Sequence, residues 1–374
     1  MDAALAQLVD QVLSARAQRG VLDIRGSGSK AFYGEAARGE ALDATALAGI
    51  SSYEPTELVV SARCGTTLAE LEAALAERGQ CLPFEPPHFG PGATVGGMVA
   101  TGLSGPARAS VGAVRDYVLG ATLLSGRGEV LSFGGQVIKN VAGYDVSRLL
   151  AGSLGMLGVI CEVSLKVVPA ARATATLRFD LAQAAALAQL NAWAGKPLPI
   201  NASAWWEGTL VLRLRGAAAA VDAAVAALGG ERIADEHAAA FWNGLREQTD
   251  EYFVAALRAI ESDAEARLWR LSLPQTAPPL ALMGDQLIEW GGAQRWLVSS
   301  APAAEVRQAA ARAGGHATVF RGDKSVGAFT PLTPTLARIQ HQLALAFDPD
   351  QVFATGRLMA APPAAVSRSD DGAA

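Results

Sequence analysis

The sequence predicts an α+β fold, with a glycine-rich α/β front followed by a ferredoxin-like α+β domain. Three observations predict it. Helical and strand-like apolar periods alternate along the 374 residues. Over residues 174–234 they run in the order βαββαβ. Two glycine-dense stretches, Arg25-Gly26-Ser27-Gly28-Ser29-Lys30 and Gly90-Pro91-Gly92-Ala93-Thr94-Val95-Gly96-Gly97, each come after an extended or turn-rich segment, with one small α/β unit between them.

Residues 2–19 carry Leu5, Leu8, Val9, Val12 and Leu13 at helical spacing, and Gly20 stops the helix. Residues 21–24 make a short apolar strand that runs straight into the first glycine stretch, and 57–62 read as another strand. Thr67-Leu68-Ala69-Glu70 is a capping box; it opens a helix with Leu68, Leu71 and Leu75 on one side and Gly79 at its end. Segments 119–124 and 129–133 flank a Ser125-Gly126 turn, and 137–141 is a further extended piece. Residues 159–168 alternate as a strand and stop at Pro169, so a boundary falls over 169–173. Beyond it, 174–179 is a strand and Asp180 caps a helix to Trp193. Segments 202–206 and 208–214 form a hairpin, 217–228 is helical and 231–234 extended. A helical stretch over 235–260 leads to strand 267–273, a helix near 279–288, strand 295–298, helix 303–313 and strand 317–320. Residues 333–347 form a final amphipathic helix and 348–359 a closing loop. The units are therefore 1–170, 171–330, a helix and loop over 331–360 that return to the front, and a Pro/Ala/Ser/Asp-rich tail at 361–374, expected to be disordered.

Composition narrows the function classes. A 51% hydrophobic and 18% charged chain can fill a core. The net charge is −5 with no Lys/Arg block, so nucleic acid is not an expected partner. The N-terminus lacks a basic segment leading into a long apolar one, so no signal peptide is expected. No apolar run reaches the ~18 residues of a membrane span. Cys64, Cys81 and Cys161 are an odd count without CxxC spacing and read as reduced thiols of a cytoplasmic protein. The four histidines share no metal-ligand spacing, so no metal is expected and any cofactor is organic.

Backbone N–H groups around glycine can form a concave nest for anions, phosphate above all. Gly26 and Gly28 let the backbone approach a ligand without a Cβ, and Ser27 and Ser29 add hydroxyls. In the second stretch Thr94 offers a hydroxyl, and a helix starting near Val95 would aim its N-terminus at the same anion. Either stretch alone could equally be a turn between strands; two together point to one diphosphate ligand gripped from both sides. Gly26-Ser27-Gly28-Ser29-Lys30-Ala31 also fits G-x-G-x-x-A, but that fingerprint requires a helix to begin within the motif. Gly34 and Gly39 interrupt the segment after it, the order is helix–strand–loop, and Asp43 comes too early. A dinucleotide-binding Rossmann domain fails on this context.

Arg25–Lys30, Ala93-Thr94-Val95-Gly96-Gly97-Met98-Val99-Ala100, Arg115-Asp116, Lys139-Asn140-Val141-Ala142-Gly143-Tyr144-Asp145 and Gly152-Ser153-Leu154-Gly155-Met156-Leu157-Gly158-Val159-Ile160 resemble the vanillyl-alcohol-oxidase (PCMH-type) FAD-binding family. The likeness covers about residues 1–170 and resumes in Phe347-Asp348-Pro349 and Phe353-Ala354-Thr355-Gly356-Arg357. It implies a two-subdomain PCMH-type FAD-binding domain plus a ferredoxin-like α+β cap. It also implies FAD held by Arg25, Gly26, Ser27, Gly28, Ser29, Lys30, Gly92, Ala93, Thr94, Gly96, Gly97, Thr101, Arg115 and Asp116, with Gly158, Val159 and Ile160 lining the flavin or adenine. Some members attach FAD through a histidine near the first nest; Ser29-Lys30 stands there here, so the cofactor is expected to be noncovalent.

Oxidising a 2-hydroxy acid needs a flavin, a base for the hydroxyl proton and a cation for the carboxylate. Members of that branch typically carry a metal-associated HGDGNxH-like segment. Phe320-Arg321-Gly322-Asp323-Lys324-Ser325 keeps the glycine and aspartate but no histidine, and His316 lies upstream without a partner. This argues against independent metal-assisted oxidation and leaves the catalytic residues unassigned. Arg321 or Lys324 could pair with a carboxylate or be solvated loop charges; His88 could approach the cofactor or be a structural turn residue. The loop Phe353–Arg357 lacks the Asn-Pro of many relatives, which puts a polar contact to the flavin rim in doubt. Trp205 and Trp206 should point to opposite faces of a strand, leaving one able to meet a partner.

The resemblance further implies oxidation of a small 2-hydroxy acid, glycolate to glyoxylate, inside a complex with a homologous FAD-containing catalytic subunit and an iron–sulfur subunit. The complex would be cytoplasmic or held at the inner membrane through those partners. Within it this chain either oxidises substrate or holds flavin beside the catalytic subunit; an assembly module without flavin is the reading of another class.

Overall fold

The computed structural model describes residues 2–135 and 145–359. The extended piece at 137–141, the motif from Lys139 to Tyr144 and the tail at 361–374 lie outside the described residues.

Helix α1 (Ala3–Ala17) starts where Asp2 accepts a hydrogen bond from the Ala4 amide, and it buries Leu8 and Val12. Strand β1 (Leu22–Arg25) pairs in parallel with β2 (Glu40–Asp43). β3 (Ile50–Glu54) and β4 (Val59–Arg63) come next. The sequence gives no sign of β2 or β3, because of their residues only Leu42 is buried and the apolar period is too weak to read. α2 (Leu68–Ala76) is capped by Thr67, whose hydroxyl oxygen accepts from the Glu70 amide, and buries Leu68, Leu71 and Leu75. The front continues through β5 (Gln80–Cys81), α3 (Val95–Thr101), α4 (Arg108–Val111), β6 (Val118–Leu124), β7 (Val130–Gly134), β8 (Val159–Lys166) and β9 (Val168–Pro169). Strands β3-β4-β8-β6-β7 form a five-stranded antiparallel sheet, and Val60, Ala62, Leu123, Val163 and Leu165 put its apolar face into a core shared with α2 and α3.

The second sheet has eight strands. β10 (Ala173–Asp180), α5 (Gln183–Ala194), β11 (Ile200–Trp206), β12 (Thr209–Gly216), α6 (Ala218–Leu228) and β13 (Glu231–Ile233) give the spatial order β13-β10-β12-β11, which is ferredoxin-like. Helices α7 (Asp235–Glu247) and α8 (Glu251–Ser262) then lead to β14 (Arg267–Ser272), β15 (Asp285–Glu289), β16 (Gln294–Ser299), α9 (Ala303–Arg312) and β17 (His316–Arg321), in the order β15-β16-β14-β17. Numbered within each half, the orders are fourth-first-third-second and second-third-first-fourth. Antiparallel pairing of β11 with β15 joins the halves through their second strands. The alternation seen in the sequence is thus a structural duplication that has lost one helix.

That lost helix corrects the reading of 279–288. Pro274, Pro278 and Pro279 lack the N–H a helix needs, and Gly284 at φ 122 passes so close to Val298 that a Cβ would lie 2.0 Å from its carbonyl oxygen. The chain there is a loop that enters β15. Asp180 ends β10 opposite Thr209 and is not a cap; Ala182 is the N-cap of α5, without a side-chain bond. The stretch 235–260 breaks at Gln248, which sits at φ 57, and Asp250 restarts it by accepting from the Phe253 amide. Trp205 and Trp206 do point to opposite faces: Trp205 donates to the Leu181 carbonyl in one core cluster, and Trp206 packs on Tyr252 in another. Both are half-buried within this chain, so each keeps part of its ring exposed.

Helix α10 (Pro334–Phe347) brings the chain back to the front. The buried Asp348 carboxylate accepts from the Val352 and Phe353 amides at 2.9 and 2.7 Å, and Leu22 donates to the Val352 carbonyl. Val352 and Phe353 enter the front core.

Charges hold the seam between the two sheets. Arg213 donates to both oxygens of Glu85 at 2.7 and 2.8 Å, with both side chains largely buried. Glu247 accepts from the amides of His88 and Phe89. Removing the Glu85 carboxylate strands a desolvated guanidinium, so Glu85→Ala should lose about 3–5 kcal/mol of stability. Urea unfolding should show a lower midpoint, with Glu85→Gln in between.

Candidate cofactor cleft

Strand β1 ends at Arg25, and the chain turns without continuing the ladder. Among the described residues the amides of Gly26, Ser27 and Gly28 donate to no protein acceptor. Gly28 supplies the turn at φ 77. The second stretch comes up against the first. A Cβ on Gly26 would stand 2.4 Å from Thr94 Oγ1, and one on Gly92 would stand 3.1 Å from Ser27 Cβ. The two glycine stretches therefore touch, and neither could do so with larger residues at these points.

Around this contact lie two adjoining cavities of about 390 and 610 Å³ of open space. Both are lined by Gly26, Thr94, Gly97, Ala100 and Gly155, so they form one cleft. Its inner end reaches Ala44, Cys64, Gly96, Gly158 and Ile160. Its outer end reaches Arg25, Ser27, Gly28, Ser29, Lys30, Thr101 and Arg357. The remaining candidates lie off the cleft surface. Ala93 is buried, with its N–H on the Gly90 carbonyl and its own carbonyl on the Leu68 amide. Val159 is buried in β8 opposite Leu124. Arg115 and Asp116 are exposed on a 3-10 turn, where the Asp116 carboxylate accepts from the Ala113 amide.

Helix α3 does begin at Thr94, but its first amides do not point at a ligand. Val95 donates to Thr66 O, Gly96 to Cys64 O and Gly97 to the Thr94 hydroxyl oxygen. The cap and the neighbouring β4–α2 turn consume the donors that the sequence assigned to an anion. The free amides come from the first stretch. Ala44, Cys64, Ala100, Leu154, Gly155 and Arg357 are cleft residues absent from the sequence-derived set, although Ala100, Leu154, Gly155 and Arg357 belong to motifs that carry the family resemblance.

Lys30 is the cleft's buried cation, 7% exposed. Its Nζ donates to the His88 carbonyl at 3.1 Å and lies 5.8 Å from the Phe89 ring centre. Burial pulls the ammonium down to about 8, although Glu247 opposes the shift. Burial pushes the Cys64 thiol up to about 12, so it lines the inner end as an inert neutral group. His88 is absent from the cleft lining, and its Nε2 lies 3.1 Å from the Glu72 carboxylate. Arg321 and Lys324 also serve the seam. The Arg321 guanidinium stacks 3.6 Å from the Phe32 ring centre, and Lys324 donates to the carbonyls of Phe32 and Gly34. Asp323 is held down to about 2 by the Ser325 hydroxyl and Arg267. Through these contacts the end of β17 and the residues after it fasten onto the loop that follows β1.

Comparison with known proteins agrees with this geometry. The FAD binding domain family model matches residues 4–134. Glycolate oxidase subunit GlcE of Escherichia coli (strain K12) is 47% identical over 94% of this chain and 97% of its own length. D-lactate dehydrogenase of Anaerostipes hadrus is 34% identical over 37% of this chain and 29% of its own length, and glycolate oxidase subunit GlcD of Bacillus subtilis (strain 168) is 30% identical over 34% and 27%. Among solved structures, alkyldihydroxyacetonephosphate synthase superposes with a TM-score of 0.60 at 15% identity, covering 92% of this chain and 73% of that one, which shows a common fold.

Two measurements test the cleft. Gly26→Val should drive Thr94 away and reduce flavin retained on purification about tenfold or more, since the clash is with a buried capping residue; absorbance per protein measures it. An anion in the cleft favours the Lys30 ammonium, so its affinity should be full below about pH 8 and fall as pH rises through that value. Flavin titrations across that pH window should lose the slope in Lys30→Gln.

Proposed function

This chain belongs to the family of glycolate oxidase subunit GlcE, FAD-binding proteins of the oxidoreductase class, and from that premise we propose that it holds FAD noncovalently within a complex that oxidises glycolate or a similar 2-hydroxy acid. One observation carries the reading: two glycine stretches distant in sequence meet on one cleft, where three unpaired amides and a buried ammonium face the same space. That donor set fits a dinucleotide diphosphate. Gly26, Ser27 and Gly28 would hold its oxygens, Lys30 would balance its charge, and the apolar end at Gly158 and Ile160 would pack against a ring. Bound flavin supplies a two-electron acceptor. Ser29-Lys30 offers no histidine for a covalent link.

The complex itself is part of the proposal. The three cysteines lack cluster spacing, and Cys64 and Cys161 are buried thiols pushed up to about 12, so electrons leaving the flavin would pass to another protein, a quinone or oxygen, and we assign a protein. A homologous flavoprotein subunit and an iron–sulfur subunit are the partners we assign. No helix among the described residues is long and apolar enough to cross a membrane, which fits a cytoplasmic subunit or one held peripherally at the inner membrane by its partners.

A second reading, flavin holding without substrate oxidation, is favoured by the seam role of Arg321 and Lys324. The purified chain should be yellow and release its flavin on acid precipitation. If it oxidises substrate, anaerobic glycolate or D-lactate in excess should bleach the visible flavin absorption. A yellow protein that neither substrate bleaches leaves the holding role, and a colourless one ends the flavin reading.

A further inference from the structure

A second, smaller cavity of about 330 Å³ of open space sits at the seam, between the turn after α3 and the face of β14, β15 and β16. Phe89 lines it, and the Lys30 ammonium of the cleft lies 5.8 Å from that ring's centre. The polar groups that converge here are left unmet by the protein. Glu289, 3% exposed, accepts from Gln294 Nε2 at 2.9 Å and Trp296 Nε1 at 2.6 Å, both on Oε2. No described residue donates to its Oε1. Gln294 Oε1 in turn accepts from Arg270 Nε at 2.7 Å, which leaves both terminal nitrogens of Arg270 without an acceptor among the described residues. Gln248, 7% exposed, has a buried Oε1 with no partner, and so does the Ser104 hydroxyl.

Buried polar groups are normally paired, and each one left unmet is unfavourable. Two of them, Gln248 Oε1 and the Ser104 hydroxyl, line this cavity beside the open Glu289 Oε1 and the half-buried Arg270 guanidinium, which describes a site for a polar guest. The charge of that guest is set by the cations. Arg270 and Arg108 lie 5.3 and 4.5 Å from the Trp290 ring centre, and neither makes an ion pair among the described residues. Trp290 itself is held at φ 55, with its indole N–H on the Gly105 carbonyl, so the clamp is fixed to the front domain. An unpaired guanidinium in the lining, with a second across Trp290 from it, favours an anion. The cavity is small, so only a compact guest of a few heavy atoms suits it. Burial also pushes Glu289 up to about 7, against the hydrogen bonds from Trp296 and Gln294, so its oxygen is basic enough to hold a hydroxyl proton strongly.

We propose that this seam cavity binds a small 2-hydroxy carboxylate of two to four carbons, with its carboxylate on Arg270 and its hydroxyl donating to Glu289 Oε1. The assignment rests on the substrate class of the proposed function and adds the residues that would select it. In Glu289→Gln, Trp296 and Gln294 keep the amide oxygen, so the NH₂ faces the cavity and the acceptor is gone.

The test uses the full chain purified with its flavin, and two probes that cannot be oxidised at C2: 2-hydroxyisobutyrate and isobutyrate. Calorimetry should show the hydroxy acid binding about tenfold or more tighter than isobutyrate, the usual scale of a charge-assisted hydrogen bond. Glu289→Gln should abolish that preference while isobutyrate binds as well or better, and Arg270→Gln should weaken both acids. Equal binding of the two probes to the unaltered chain, no binding at all, or variants that bind as the unaltered chain does would each overturn the proposal. Flavin absorbance is read separately: a flavin-loaded chain that ignores both acids sinks the seam site alone, whereas loss of flavin tells against the cleft.

Discussion

Between Gly26 and Thr94 there is no room for a methyl group, and the front domain is arranged around that contact. Gly26 directly follows a strand held in parallel pairing with β2, and Thr94 caps a helix packed on the five-stranded sheet. Each side is rigid for its own reason. The contact between them therefore fixes the width of the cleft and leaves the amides of the first stretch as its open donors. The two stretches differ in their donors: Ala93, Val95, Gly96 and Gly97 of the second give their amides to protein acceptors, and Gly26, Ser27 and Gly28 of the first do not.

The seam obeys a similar rule for charge. Burying a cation is unfavourable unless it finds an acceptor, and most cations here have one within the chain. Arg213 has Glu85, Lys324 has two backbone carbonyls, and Arg321 has the face of Phe32. Arg270 stands out because its one bond, to Gln294, leaves the end of its guanidinium open beside a buried carboxylate. A charge matters to function here by what it lacks in the folded chain.

The duplicated strand order of the second sheet explains how that carboxylate reaches the seam. Joining two ferredoxin-like halves through β11 and β15 puts Glu289 near the middle of an eight-stranded sheet, opposite Ala204. The replaced helix matters as much. With a proline-rich loop over 274–284 in place of a helix, β15 can present Glu289 to the turn after α3.

The local elements were legible wherever apolar spacing or a cap carried the information: Leu68, Leu71 and Leu75 marked α2, Thr94 marked the start of α3, and the βαββαβ order marked the first half of the second sheet. The two glycine stretches were legible too, because only glycine permits such an approach. Strands β2 and β3 escaped because exposed strands need no apolar period. The helix read at 279–288 failed because Leu280, Leu282, Leu287 and Ile288 look the same in either conformation, and pairing with β16 decides between them. The unassigned catalytic question had the same origin. Glu289, Arg270, Gln248 and Ser104 come from four separate parts of the chain, and nothing in their local sequence sets them apart. The sequence by itself determined where the backbone can come close. Which donors and charges remain unpaired once it has done so is a sum over long-range partners, and only the tertiary structure decides it.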